Sequence, residues 1–128
     1  MEEPKFISRE VLDELHAEAL RLFGGSSGIR DEGLLESALA AAQNVYFYSH
    51  GDIFDIAAAY AFHIAQAQAY LDGNKRTAVA AALTFLAVNE CGYWVDDGRL
   101  YDAMIDIAEK KLGKPDLAKL FRKVFTTT

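Results

Sequence analysis

Two alanine-rich runs constrain this chain more than any other feature. Residues 57–62 read Ala-Ala-Ala-Tyr-Ala-Phe, and residues 78–83 read Ala-Val-Ala-Ala-Ala-Leu. Surface helices carry one apolar stripe, whereas a helix that is apolar nearly all round is buried. Both runs are therefore predicted to be central helices, with side chains small enough to let neighbours approach closely. Elsewhere the apolar residues recur at helical spacing. Ser8 suits the N-cap of a first helix through Val11, Leu12, Leu15, Ala19, Leu20 and Phe23, stopped by Gly24-Gly25. Asp31 caps a second through Leu34, Leu35, Ala38, Leu39 and Ala42, with a loop from Asn44 to Asp52. The central helices fall at about residues 53–68 and 74–89. Residues 91–95 suit a short extended piece, Asp97 caps a fifth helix ending near Gly113, and Pro115 opens a last one ending near Phe125. No alternating strand pair occurs. The expected fold is all-α, a single domain over residues 1–128 with about six helices.

Size and charge narrow the classes. A chain of 128 residues makes one ordinary domain, and 52% hydrophobic with 25% charged residues suits a globular core. The single cysteine, Cys91, allows no disulfide within the chain, which fits a reducing compartment. The start, Met1-Glu2-Glu3-Pro4-Lys5, lacks a basic n-region and apolar run, and no stretch is long enough to cross a membrane. A cytoplasmic protein with no membrane partner is expected. The net charge of −6 disfavours nucleic acid as a main partner, although a local basic cluster still suits a nucleotide.

That cluster lies between the two central helices. Asp72-Gly73-Asn74-Lys75-Arg76 places three ionisable groups within five residues at the junction of two core elements. Charge near a core is costly unless it is paired, hydrated or used. A helix beginning near Asn74 presents unsatisfied N–H groups and its positive dipole end there. Gly73 permits close approach to the backbone, and Lys75 and Arg76 add donors and charge, so the segment suits a phosphate. Asp72 offers a hard oxygen to magnesium, which commonly bridges protein and phosphate. The same residues also suit an ordinary helix cap, and spacing alone does not separate the two.

Asp-Gly-Asn-Lys-Arg-Thr followed by an alanine-rich helix resembles the core motif of the Fic/Doc superfamily. Gly28-Ile29-Arg30-Asp31, Leu34-Leu35-Glu36-Ser37-Ala38-Leu39 and Ala59-Tyr60-Ala61-Phe62-His63-Ile64-Ala65 resemble segments of its death-on-curing (Doc) branch, so the likeness covers roughly the first three quarters of the chain. Fic adenylyltransferases have glycine at the position of Lys75 and a further arginine at that of Val79, so the Doc branch fits better. The resemblance implies a toxin of a toxin–antitoxin system that uses ATP and magnesium to phosphorylate a protein hydroxyl, with elongation factor Tu as the target class. It also implies a cognate antitoxin whose disordered C-terminal segment folds into a groove on the toxin. By the same resemblance Asp72 binds magnesium, Gly73 keeps the loop tight, Asn74 positions phosphate oxygens, and Lys75 and Arg76 neutralise them.

The chain departs from that motif at its start. Gln68-Ala69-Tyr70 stands where the superfamily has histidine, usually followed by Pro-Phe. The family histidine is the general base, worth about 10²- to 10⁴-fold, and a glutamine amide does not titrate near neutrality. Gln68 can still orient a hydroxyl by hydrogen bonding, as glutamine orients water in some GTPases. Three readings stand: a Doc-type kinase with an altered base at Gln68, an inactive pseudoenzyme that binds antitoxin or nucleotide, and an AMP transferase. His63 lies five positions before Gln68, about 140° round a helix and about 7.5 Å along it, and reads as a packed core residue. His16 and His50 suggest no metal site. Arg30 suits either an anion contact or a surface salt bridge. The glycine–serine loop, residues 24–28, reads as a flexible connector. Lys110, Lys111, Lys114, Arg122 and Lys123 read as solvated helix ends, and Tyr93-Trp94 as packing.

Overall fold

The computed structural model describes residues 3–92 and 98–125. These residues form six helices: α1 (Arg9–Phe23), α2 (Glu32–Phe47), α3 (Ile53–Ala67), α4 (Asn74–Val88), α5 (Arg99–Ala108) and α6 (Lys114–Phe125). The single Ile29–Tyr70 bridge is the only strand-type pairing among the described residues. The hub is α3, which packs against α2, α4, α5 and α6, while α1 packs on α4. Its run from Ile56 to Ala61 is entirely buried, as the all-round apolar pattern requires. On α4 the buried face is Thr77, Ala78, Ala81, Ala82, Phe85 and Leu86. No helix among the described residues is long and apolar enough to cross a membrane.

Local signals set most boundaries. The Ser8 hydroxyl accepts from Val11 N–H, and Asp31 accepts from Leu34 N–H, each satisfying an orphan donor of its helix. Asp52 and Asp55 form a reciprocal capping box at the start of α3. Arg122, expected at a solvated helix end, instead reaches both of these carboxylates at 2.8–3.2 Å and fastens α6 to the start of α3.

Two ends differ from the sequence reading. The second helix continues through Asn44 to Phe47, because Tyr46 and Phe47 are held by the Phe6 ring at 6.0 and 5.8 Å. The fifth stops at Ala108 rather than near Gly113, because Lys110 turns left-handed (φ 62°) and Lys111 N–H closes back on the Asp106 carbonyl at 2.7 Å. The N-cap of α5 is Gly98 (φ 103°), one residue past the expected Asp97. The Tyr93-Trp94 pair and most of the extended piece at 91–95 lie outside the described residues.

Candidate functional site

The site is the loop that joins the two central helices. At its start Gln68 ends α3 in a left-handed conformation (φ 49°, ψ 45°) with its side chain exposed. That turn throws the chain across to the segment after α1. The Ala69 carbonyl accepts from Arg30 N–H at 2.6 Å and Asp31 N–H at 3.1 Å, and Leu71 N–H donates to the Gly28 carbonyl at 3.0 Å. The glycine–serine loop is therefore not the free connector that its composition suggests. Ser26 N–H donates to Asp72 Oδ2 at 2.8 Å, and Gly25 sits at φ 121° where a Cβ would lie 3.0 Å from that of Asp72. Small residues here let two backbones meet, and the hydrogen bonds aim the Asp72 carboxylate. The Arg30 guanidinium has no polar partner among the described residues, and the residue serves the loop through its backbone N–H.

Beneath the loop lies a polar stack that sequence reasoning missed. His16 is buried, its ring 3.6 Å from that of Tyr70 and nearly parallel. Its Nε2–H donates to the Asp72 carbonyl at 2.8 Å, since that oxygen can only accept. The Tyr70 hydroxyl donates to Asp13 at 2.8 Å, and Arg9 binds Asp13, Glu32 and Glu36 at 3.1, 2.6 and 2.8 Å. Burial first, then the Asp13 carboxylate, pushes the Tyr70 phenol up, so it stays a donor. The available signal was position: His16 shares the buried stripe of α1 with Leu12 and Ala19.

The start of α4 completes the geometry. Gly73 is its N-cap at φ 80° and contributes no side-chain cap. Its φ is what favours glycine; a Cβ there would also sit close against α1, 3.3 Å from Leu20 and 3.4 Å from His16. The Asn74 amide meets the Tyr70 backbone twice: Oδ1 accepts from Tyr70 N–H and Nδ2 donates to the Tyr70 carbonyl, both at 3.0 Å. It clasps the loop shut. Lys75 and Arg76 are half-buried, and no carboxylate pairs with either among the described residues. The Arg76 guanidinium instead lies over two rings, 4.0 Å from the Phe23 centroid and 3.9 Å from that of Tyr101. Two cations without a carboxylate partner therefore stand at the start of α4, where the helix dipole is positive.

The chain matches the Fic/DOC family model over residues 6–86. It belongs to the Fic/DOC family. It is 30% identical over 122 residues to a protein named Protein kinase doc from Escherichia phage P1, covering 94% of this chain and 96% of that protein. It is 39% identical over 92 residues to Toxin Doc of Mycolicibacterium smegmatis, covering 69% of this chain and 71% of that one. Within the family the chain sits with the Doc toxins.

The family model spans α1 to most of α4, the elements that build the loop, its clamp and the stack beneath it. The residues present fit a magnesium–nucleotide pair. Asp72 Oδ2 is held by Ser26 while Oδ1 has no partner among the described residues, and one carboxylate oxygen suffices for an ion that also takes phosphate oxygens and waters. Among the described residues no group of three or more His, Cys, Asp or Glu side chains forms a metal cage of its own. His63 makes its polar contact elsewhere. It lines a cavity of about 350 Å³ with Leu34, Ser37, Ala38, Gln66 and Ala67, and Lys114 Nζ donates to its Nε2 at 3.0 Å. Burial first, then Lys114, pushes its imidazole down to about 4.

Proposed function

We propose that this chain is a Doc-type toxin that transfers the terminal phosphoryl group of ATP to a protein hydroxyl, with elongation factor Tu as the target class. The observation that carries the reading is the unpaired Lys75–Arg76 pair at the uncapped start of α4, beside the aimed Asp72 carboxylate. Phosphoryl transfer demands positioning and charge stabilisation more than covalent chemistry from the protein. In this account the target oxygen bonds to the γ-phosphorus as the bond from that phosphorus to the bridging oxygen breaks, and ADP departs. Lys75, Arg76 and the N–H groups of the first turn of α4 hold the phosphate oxygens. Asp72 binds magnesium, which neutralises phosphate charge when bound. Asn74 acts by keeping the loop closed, and its backbone N–H remains at the helix end.

Gln68 takes the position of the base. Its amide oxygen can accept a hydrogen bond from the target hydroxyl and orient it, and in a loose transition state the proton leaves late, to solvent or to a phosphate oxygen. The names of the relatives, one a kinase and both Doc proteins, support the toxin reading, and a cognate antitoxin with a C-terminal segment that folds on the toxin follows from it. The exposed, non-titrating Gln68 favours a second reading, a nucleotide- or antitoxin-binding module without transfer activity. Lys75 and Val79 weigh against AMP transfer.

Calorimetry with ATP and magnesium tests the site. Arg76→Ala should lose about 1.5–3 kcal/mol of binding, the worth of a charge-assisted contact. Asp72→Asn should abolish the dependence of binding on magnesium. Unchanged affinity in Arg76→Ala would remove the basis of the proposal.

A further inference from the structure

The Arg76 side chain brings together the end of α1 and the starts of α4 and α5. Phe23 is the last residue of α1, Arg76 lies in the first turn of α4, and Tyr101 lies in the first turn of α5. Phe23 is 60% exposed, so its place is not explained by core burial. The central carbon of the guanidinium lies over both rings, 4.0 Å from the Phe23 centroid and 3.9 Å from that of Tyr101. A guanidinium carries all five N–H donors in its own plane, so stacking fixes the plane while consuming no donor. A carboxylate partner would fix it too, but would occupy the edge that a phosphate needs. The usual way to steady an arginine, an ion pair, is absent from Arg76 among the described residues.

Resting on the phosphate reading above, we propose that Phe23 and Tyr101 are positioning residues. They hold the Arg76 guanidinium flat and stripped of water on both faces, with its donor edge presented to an oxyanion of the phosphate class. The end of α1 then acts twice in the site. Phe23 orients Arg76, and three residues later Ser26 orients Asp72. The fifth helix, beyond the segment that the family model matches, gains a role by supplying the second ring.

The test is ATP–magnesium calorimetry on the full chain, with Phe23→Leu, Phe23→Tyr, Tyr101→Leu and Tyr101→Phe beside wild type. Leucine keeps apolar bulk and loses the ring quadrupole, so each leucine variant should bind about 2- to 30-fold more weakly. Phe23→Tyr should bind as wild type does, and Tyr101→Phe should bind more tightly than Tyr101→Leu. Melting temperatures report folding. The Arg76 Nε–Hε resonance, assigned by its loss in Arg76→Ala, should be shielded by both rings in wild type and move downfield in the leucine variants. Phe23→Leu binding as tightly as wild type, or a loss that aromatic replacement does not rescue, overturns the proposal and leaves the phosphate reading standing. A wild type that binds no ATP overturns the phosphate reading and the stack's role with it, even where the shielded resonance shows the rings in place.

Discussion

Replacing Asn74 by alanine separates its structural role from nucleotide contact. The amide spends both of its functions on Tyr70, accepting from its N–H and donating to its carbonyl at 3.0 Å each. Alanine leaves both backbone groups without partners in a part-buried loop. Two lost bonds, with some of the desolvation cost of the groups left behind, come to about 2–4 kcal/mol. For a chain of 128 residues, an unfolding entropy of about 2.1 cal/mol/K per residue makes each kcal/mol worth about 4 °C. Asn74→Ala should therefore melt about 7–15 °C below wild type, followed by circular dichroism. Asn74→Asp should also be destabilised, since one carboxylate oxygen would face the Tyr70 carbonyl. A melting point within about 2 °C of wild type would refute the clasp and return Asn74 to direct phosphate contact.

Two further outcomes are expected. Gln68→His should raise transfer to a protein hydroxyl by up to about 10²- to 10⁴-fold, with a pH profile titrating near neutrality; no gain over an active wild type would mean that no base is needed. His63, held neutral with its imidazole pushed down from 6.5 to about 4, favours the folded state above pH 6.5, and that contribution is lost as pH falls from 6.5 to 4. Denaturant melts across that window should show wild type losing more stability than His63→Gln, and parallel losses would refute the burial argument.

Residues with local consequences were legible in the sequence. Ser8 and Asp31 cap helices because their oxygens meet N–H groups three residues on, whereas the Asp52 cap stands where the sequence reading had only a loop end. The all-apolar alanine runs marked α3 and α4 because no helix exposes such a surface. What was hidden depends on partners distant in sequence. Asn44 reads as a loop start, yet Phe6, far along the chain, holds Tyr46 and Phe47 in a further helical turn. Lys110 ends α5 in a conformation for which glycine is the usual signal, and Gly113 was the decoy. At the site, the cluster from Asp72 to Arg76 was visible as charge between core helices. Its supports were not. The ring of His16 under Tyr70, the Ser26 N–H on Asp72 and the rings about Arg76 are tertiary contacts with no local pattern.

The central claim is phosphoryl transfer to a protein hydroxyl, and intact-mass measurement tests it most directly. Elongation factor Tu is incubated with ATP, magnesium and either wild type or Gln68→His, then weighed. The account predicts an added mass of one phosphoryl group, slow with wild type and faster with Gln68→His. An added AMP, or no addition with either protein while ATP still binds, would contradict it.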